Sequence, residues 1–181
     1  MQSRDYPEIT TKRLILRKFK PEDAKDVQRM AGREAVASNT LAMPFPYLDG
    51  MAEAWIATHD KEFEEGKSAI FAITLKNSGQ LIGAIGLSMQ QQYKLAELGY
   101  WIGEEYWNQG FCTEAAKAVL NYAFDSLHLH KVTANHFAGN PASGRVMEKA
   151  GMHYEATLKS HILHWGKYKD LVCYAIFGHG D

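Results

Sequence analysis

Cysteine is scarce in this sequence. Its two residues, Cys112 and Cys173, lie far apart and form no metal-type pair. No apolar run is long enough to span a bilayer, and the start Met1-Gln2-Ser3-Arg4-Asp5-Tyr6 carries no hydrophobic signal core. Charge of one sign is missing too. Lys and Arg total 20 against 21 Asp and Glu, a formal net charge of −1, so no basic footprint argues for nucleic acid. Repeats, low-complexity stretches and an internal linker are also absent. These absences predict a soluble protein of a reducing compartment, the cytoplasm, with no membrane or nucleic-acid partner. The oligomeric state stays open, a homodimer among the options. What is present is material for a core. Of 181 residues, 46% are hydrophobic, which suits one domain over residues 1–181.

The hydrophobic pattern predicts alternating strands and helices. Residues 14–17 read as a short strand, followed by Pro21 at a helix start and Ala24, Val27 and Met30 at helical spacing up to Gly32. Asp49 is expected to cap a helix in which Met51, Trp55, His59 and Phe63 recur every fourth residue and which Gly66 ends. Strands are expected over 68–75 and 81–89 around the turn Asn77-Ser78-Gly79, and another over 96–103. A helix over 113–127 carries Ala116, Leu120 and Phe124 on one face, a strand covers 131–136, and a helix covers 140–150. Strands 152–164 and 167–177 then form a terminal hairpin around Gly166. The order β-α-α-β-β-β-α-β-α-β-β predicts an α/β fold with a mixed sheet and helices on both faces.

Two polar segments stand out. Tyr106-Trp107-Asn108-Gln109-Gly110-Phe111-Cys112-Thr113-Glu114-Ala115 joins a strand to a helix, and Gly110 is the one position free to take a left-handed turn or admit a ligand closely. A helix start presents unpaired N–H groups and the positive end of the helix dipole, which suits phosphate. Asn140-Pro141-Ala142-Ser143 is a second helix start, with Asn as cap and Pro in the first turn. Each alone reads equally well as an ordinary turn into a helix. Together they bring two helix N-termini to one sheet edge, where ligand clefts form. No Lys-Ser/Thr pair follows the glycine loop, which excludes a P-loop, and no G-x-G-x-x-G is present.

Four segments in order resemble one family. These are Thr11-Lys12-Arg13-Leu14-Ile15-Leu16-Arg17; then Leu98-Gly99-Tyr100-Trp101-Ile102 with the 106–115 loop; then Asn140-Pro141-Ala142-Ser143 with Glu148-Lys149-Ala150-Gly151-Met152; and last Gly166-Lys167-Tyr168-Lys169-Asp170. The chain is similar, over nearly its whole length, to the GNAT superfamily of acyl-CoA-dependent N-acetyltransferases, in its RimJ/RimL-like branch. The resemblance implies a mostly antiparallel sheet splayed in the middle and acetyl-CoA as co-substrate. Backbone amides of Trp107, Asn108, Gln109, Gly110, Phe111, Cys112 and Thr113 would then hold the pyrophosphate. Tyr100, Trp101 and Ile102 would pair with the pantetheine arm, and Asn140 would bond it. Trp107 and Cys112 stand where the superfamily usually has Arg or Gln and Gly or Ala. Backbone amides bind phosphate whatever the side chain, so this departure does not argue against binding. The Cys112 thiol reads as a small packing residue or as an oxidisable group.

The implied chemistry moves acetyl from a thioester to an amine. The amine must lose a proton, an oxyanion must be stabilised and the thiolate must be reprotonated. Glu97 matches a position where several superfamily members carry a catalytic Glu, and alternation puts it on the strand face of Gly99 and Trp101. A solvent-facing strand residue is the plainer alternative. Strand N–H groups near Tyr100 are the expected oxyanion donors. The superfamily's common proton-donating Tyr falls at Met147, which cannot donate, so the resemblance shifts that role to Ser143, itself also a routine residue of a helix start. Phe45 and Tyr47, with Trp55 behind them, read as a wall of the acceptor cleft, and His161 and His164 as substrate-side residues or plain surface histidines. No His, Cys, Asp or Glu set has metal-ligand spacing, so no metal is expected. An α-amino group, with pKa about 7.8, is far more often neutral at pH 7 than lysine at about 10.4. This favours an α-amino acceptor, and the resemblance implies a protein N-terminus of the ribosomal-protein type. Alternatives are a small amine or a CoA-responsive binding protein without turnover.

Overall fold

The computed structural model describes residues 5–178. Residues 1–4, read above as part of a start without a signal core, lie outside the described residues. The strands are β1 (Ile9–Thr10), β2 (Leu14–Arg17), β3 (Ser68–Leu75), β4 (Leu81–Gln90), β5 (Leu95–Ile102), β6 (Lys131–Phe137), β7 (His153–His164) and β8 (Lys167–Phe177). The helices are α1 (Ala24–Ala31), α2 (Glu34–Ala37), α3 (Met51–Glu64), α4 (Phe111–Asp125) and α5 (Pro141–Lys149). The expected order holds, with β1 and the one-turn α2 added.

All eight strands form one sheet in the order β1-β2-β3-β4-β5-β6-β8-β7. Every pairing is antiparallel except that of β5 with β6. Side-chain alternation sets the layers. Leu14 and Leu16 of β2 are wholly buried while Ile15 and Arg17 are half-buried, and burying each leucine stabilises the fold by about 1.5–3 kcal/mol. One face of the sheet packs Ile85, Leu87 and Leu98 against Val119 and Leu120 of α4 and Met147 of α5. The other packs Ala72 and Ala84 against Val27 and Met30 of α1 and Ile56 of α3. Arg17 joins β2 to the start of α1 through a two-pronged ion pair, Nη1 to Asp23 Oδ2 at 2.7 Å and Nη2 to Oδ1 at 2.9 Å. Planar guanidinium and carboxylate match in such a pair.

Local expectations for α3 and α4 are corrected. Asp49 does not cap α3; its carboxylate accepts a bond from Gln28 Nε2 at 2.7 Å. Gly50, at φ 84, is the cap instead, a backbone state that glycine adopts without steric cost. The buried stripe of α3 holds His59 and Phe63 as expected, with Ala52 and Ile56 in place of Met51 and Trp55. Met51 and Trp55 are left half-buried beside a cavity. On α4, Ala116 and Leu120 are buried as expected, whereas Phe124 is half-buried.

The feature that positions the site is a break in pairing. β5 and β6 run parallel in register from Leu95 opposite Lys131 to Leu98 opposite Ala134, and there their pairing ends. β5 continues to Ile102 along β4, and β6 continues to Phe137 along β8. The two strands part, and the opening faces the N-termini of α4 and α5.

Candidate active site

A cavity of about 360 Å³ occupies this splay. Tyr100, Trp101 and Ile102 line it from β5, Trp107, Asn108, Gly110, Phe111, Cys112 and Thr113 from the loop and first turn of α4, and Asn140 and Ser143 from the start of α5. Gln109 is the one member of the expected cofactor set that does not line it: its carbonyl oxygen accepts from Arg13 Nη1 at 2.9 Å, and its side-chain amide donates to the Glu105 carbonyl at 3.2 Å.

The helix begins two residues before the expected Thr113, because Gly110 is itself the cap, at φ 79. The first-turn N–H groups therefore start at Phe111 and have no partner within the helix. Arg13, in the bend between β1 and β2, braces this turn through Glu114. Glu114 Oε1 accepts from Thr11 Oγ1 and from the Arg13 backbone N–H, each at 2.7 Å, and Oε2 accepts from Arg13 Nε at 2.7 Å. Burial alone would raise the Glu114 pKa; the bonds from Thr11 and Arg13 outweigh it and hold the carboxyl below its usual range. The Arg13 guanidinium also lies over the Phe111 ring, 4.4 Å from its centre. Neither Arg13 nor Glu114 stands out in the sequence, since they are far apart in the chain and meet only in the fold.

Tyr100 crosses the splay to α5. Its hydroxyl donates to the Ser143 carbonyl oxygen at 3.0 Å and lies 3.0 Å from Ser143 Oγ. Burial raises the Tyr100 pKa above the usual phenol range, the nearby Cys112 adds to the rise, and the bond with Ser143 partly opposes it. Asn140 caps α5 without any side-chain bond to that helix. Arg145 and Lys149, four apart on α5, also line the cavity and bring two cations that the sequence reading misses; their i, i+4 spacing on a helix that starts at the cleft is the available signal. Burial pushes the Cys112 thiol up to about 12, and the residue packs against the core. Met147, the position of the superfamily's usual Tyr, is 2% exposed in that core and does not line the cavity.

A second chamber, of about 590 Å³, adjoins the first and shares Thr40, Tyr100 and Trp101 with it. Tyr47 and Trp55 line this chamber as expected for an acceptor wall. Other expected residues lie outside it. Phe45 stacks on Trp165, ring centres 5.0 Å apart, because its loop leans on the terminal hairpin. His164 is buried between Trp165 and Phe137, at 5.0 and 4.8 Å, and burial, with Lys169, lowers its pKa. His161 is exposed on β7. Glu97 is exposed on β5, opposite Ser88 of β4. Its neighbours on that face, Ser88 and Gly99, line the chamber; Glu97 stands at its rim. Among the described residues, no group of three or more His, Cys, Asp or Glu is placed to hold a metal, and no helix is long and apolar enough to cross a membrane.

Comparison with known proteins gives this geometry its context. Residues 13–153 match the family model of the acetyltransferase (GNAT) domain. An uncharacterized N-acetyltransferase of Bacillus subtilis, YoaA, is 30% identical over 177 residues, covering 94% of this chain and 97% of that protein. The [ribosomal protein uS5]-alanine N-acetyltransferase of Escherichia coli is 25% identical, covering 93% and 89%. A GNAT acetyltransferase from Bacillus anthracis superposes with a TM-score of 0.84 at 28% identity, covering 94% of this chain and 98% of that one. This chain belongs to the GNAT acetyltransferase family and is an N-acetyltransferase whose acyl donor is acetyl-CoA.

Proposed function

We propose that this enzyme acetylates the α-amino group of a protein N-terminus by direct attack of the amine on acetyl-CoA, without an acyl-enzyme. The observation that carries this reading is the meeting of two chambers at Thr40, Tyr100 and Trp101. A donor lying in the splay and an amine entering from the other side would meet at that shared wall, and holding two reactants in contact supplies much of the rate.

Each residue then has a task. The first-turn amides of α4 take the pyrophosphate, with Arg145 and Lys149 as further cations for the donor's phosphates. Backbone N–H groups near Tyr100, at the end of β5–β6 pairing, polarise the thioester carbonyl. Glu97 draws a proton from the amine through water. Gly99 lies between Glu97 and Trp101 on that strand face, and a Cβ there would meet nothing within 4 Å, so the path is open. Ser143 Oγ–H, held by Tyr100, passes a proton to the departing thiolate and takes one in turn from solvent, to which Glu97 returns the proton of the amine. The uS5-alanine N-acetyltransferase relationship supports an α-amine, as does the greater neutral fraction of that group at pH 7.

The test is incubation with acetyl-CoA and peptides that carry both a free N-terminus and an internal lysine, followed by mass spectrometry. Acetyl on the N-terminal nitrogen supports the reading. Acetyl on the lysine alone overturns the acceptor, and acetyl-CoA binding without transfer to any amine favours a CoA-responsive binding protein.

A further inference from the structure

The chamber beside the cofactor cavity is built without charge. Its volume of about 590 Å³ falls in the range of small-molecule sites, well beyond the needs of an ammonium group. Val27 of α1, Met43 and Tyr47 of the following loop, Trp55 of α3 and Trp101 of β5 form its walls. Among the described residues, no Asp, Glu, Lys, Arg or His contributes to the lining.

Its floor is bare backbone. Gly86 of β4 and Gly99 of β5 are cross-strand partners and both line the chamber. A Cβ on Gly99 would enter open space, whereas one on Gly86 would press on Ile70 and the Ala69 carbonyl at 3.0 Å. Much of the chamber's depth at Gly99 is therefore the volume of one missing side chain.

Such a space discriminates by charge and bulk. An apolar body entering it sheds water favourably. A second ammonium carried beyond the reacting nitrogen would lose its hydration with no carboxylate to receive it. The nearest carboxylate on the floor strands, Glu97, stands outside at the rim. Resting on the acetyl-transfer reading above, we propose that the accepting amine is carried on an uncharged apolar body, aromatic or branched aliphatic, which fills the chamber over the Gly86–Gly99 floor, and that polyamines are rejected. A peptide with an apolar first side chain and a free arylalkylamine present the same chemistry.

Thiol release from acetyl-CoA is measured with 2-phenylethylamine, with a peptide beginning with Phe, with ethylamine and with spermidine. The apolar amines are expected to exceed spermidine in kcat/KM by at least about tenfold, and the better of the two apolar probes identifies the source. In Gly99→Val the ratio of 2-phenylethylamine to ethylamine should fall at least about tenfold, because the new side chain occupies the floor. A blocked proton path from Glu97 would slow every amine alike and leave that ratio unchanged. Ala54→Glu, on an exposed helical position of the wall, should shift preference towards spermidine. Spermidine preferred by the unaltered enzyme, or a ratio unmoved by Gly99→Val, overturns the proposal. Quenching of Trp55 and Trp101 fluorescence separates the two readings. Saturable quenching by 2-phenylethylamine, lost in Gly99→Val but without thiol release, keeps the chamber assignment and removes the transfer reading.

Discussion

The Tyr100 hydroxyl lies 3.0 Å from both the carbonyl oxygen and the Oγ of Ser143, and so ties β5 to α5 across the splay. With the tyrosine proton turned to Ser143 Oγ, the serine's own proton is left free to point into the cavity. Burial keeps the phenol neutral throughout the working pH range. Ser143→Ala is expected to lower kcat by about tenfold to a hundredfold, the size of a lost general acid whose leaving group already departs well, with acetyl-CoA affinity retained. Steady-state thiol release checks it; full activity would assign the proton to water or another group.

Met147→Tyr, which places the superfamily's usual acid at its usual position, should not restore activity to Ser143→Ala. Met147 packs in the core and does not line the cavity, so a ring there overfills packed space at a cost of about 1–3 kcal/mol. Urea denaturation of Met147→Tyr reads that loss directly.

Gly110→Val should weaken acetyl-CoA binding at least about tenfold, because a β-branched residue at φ 79 carries strain of order 1–3 kcal/mol. The new Cβ would also touch Arg13 Nη2 at 3.4 Å, on the guanidinium that holds Gln109 and Glu114. Calorimetry on the folded variant decides; unchanged affinity would remove the pyrophosphate from this loop.

Glu97→Gln is expected to reduce kcat roughly 10²-fold, as for loss of a general base, with little change in acetyl-CoA affinity. The deficit should shrink as pH rises past about 7.8, where the α-amine deprotonates unaided. A pH–rate profile with a constant deficit, or none, takes Glu97 out of the mechanism.

His59 is 2% exposed, and neither ring nitrogen has a hydrogen-bond partner among the described residues. It packs edge-on against Phe19 and Trp55, and burial lowers its pKa to about 4 from an ordinary 6.5. Between those values the unfolded chain binds the proton and the folded one does not. Stability is therefore fully present above about pH 6.5 and declines as pH falls towards 4. His59→Leu should flatten the dependence of Tm on pH in that window. An equal slope in the variant would contradict the assignment.

Local features are legible in the sequence. Alternation places β2 at 14–17 and β3 at 68–75, the bounds observed, and glycine and Asn-Pro mark both helix starts. Cap details are less so. The Asp49 carboxylate that reads as a cap is taken by Gln28, 21 positions away, a contact made only by the fold. The same applies to the site. The cofactor loop is one continuous segment and announces itself, but the Arg13–Glu114 brace joins residues 101 positions apart. The second chamber depends on Gly86 meeting Gly99 in register. Histidine chemistry suggests a substrate-side role for His164, yet packing between Trp165 and Phe137 turns it inward.

The central claim is that donor and amine are held together, on either side of Tyr100 and Trp101, when acetyl moves. Initial rates over a grid of acetyl-CoA and α-amino peptide concentrations test this most directly. Double-reciprocal lines that intersect, with no acetylated protein detectable by mass spectrometry before the peptide is added, are the predicted result. Parallel lines, with acetyl trapped on Ser143 or Cys112, would contradict direct transfer.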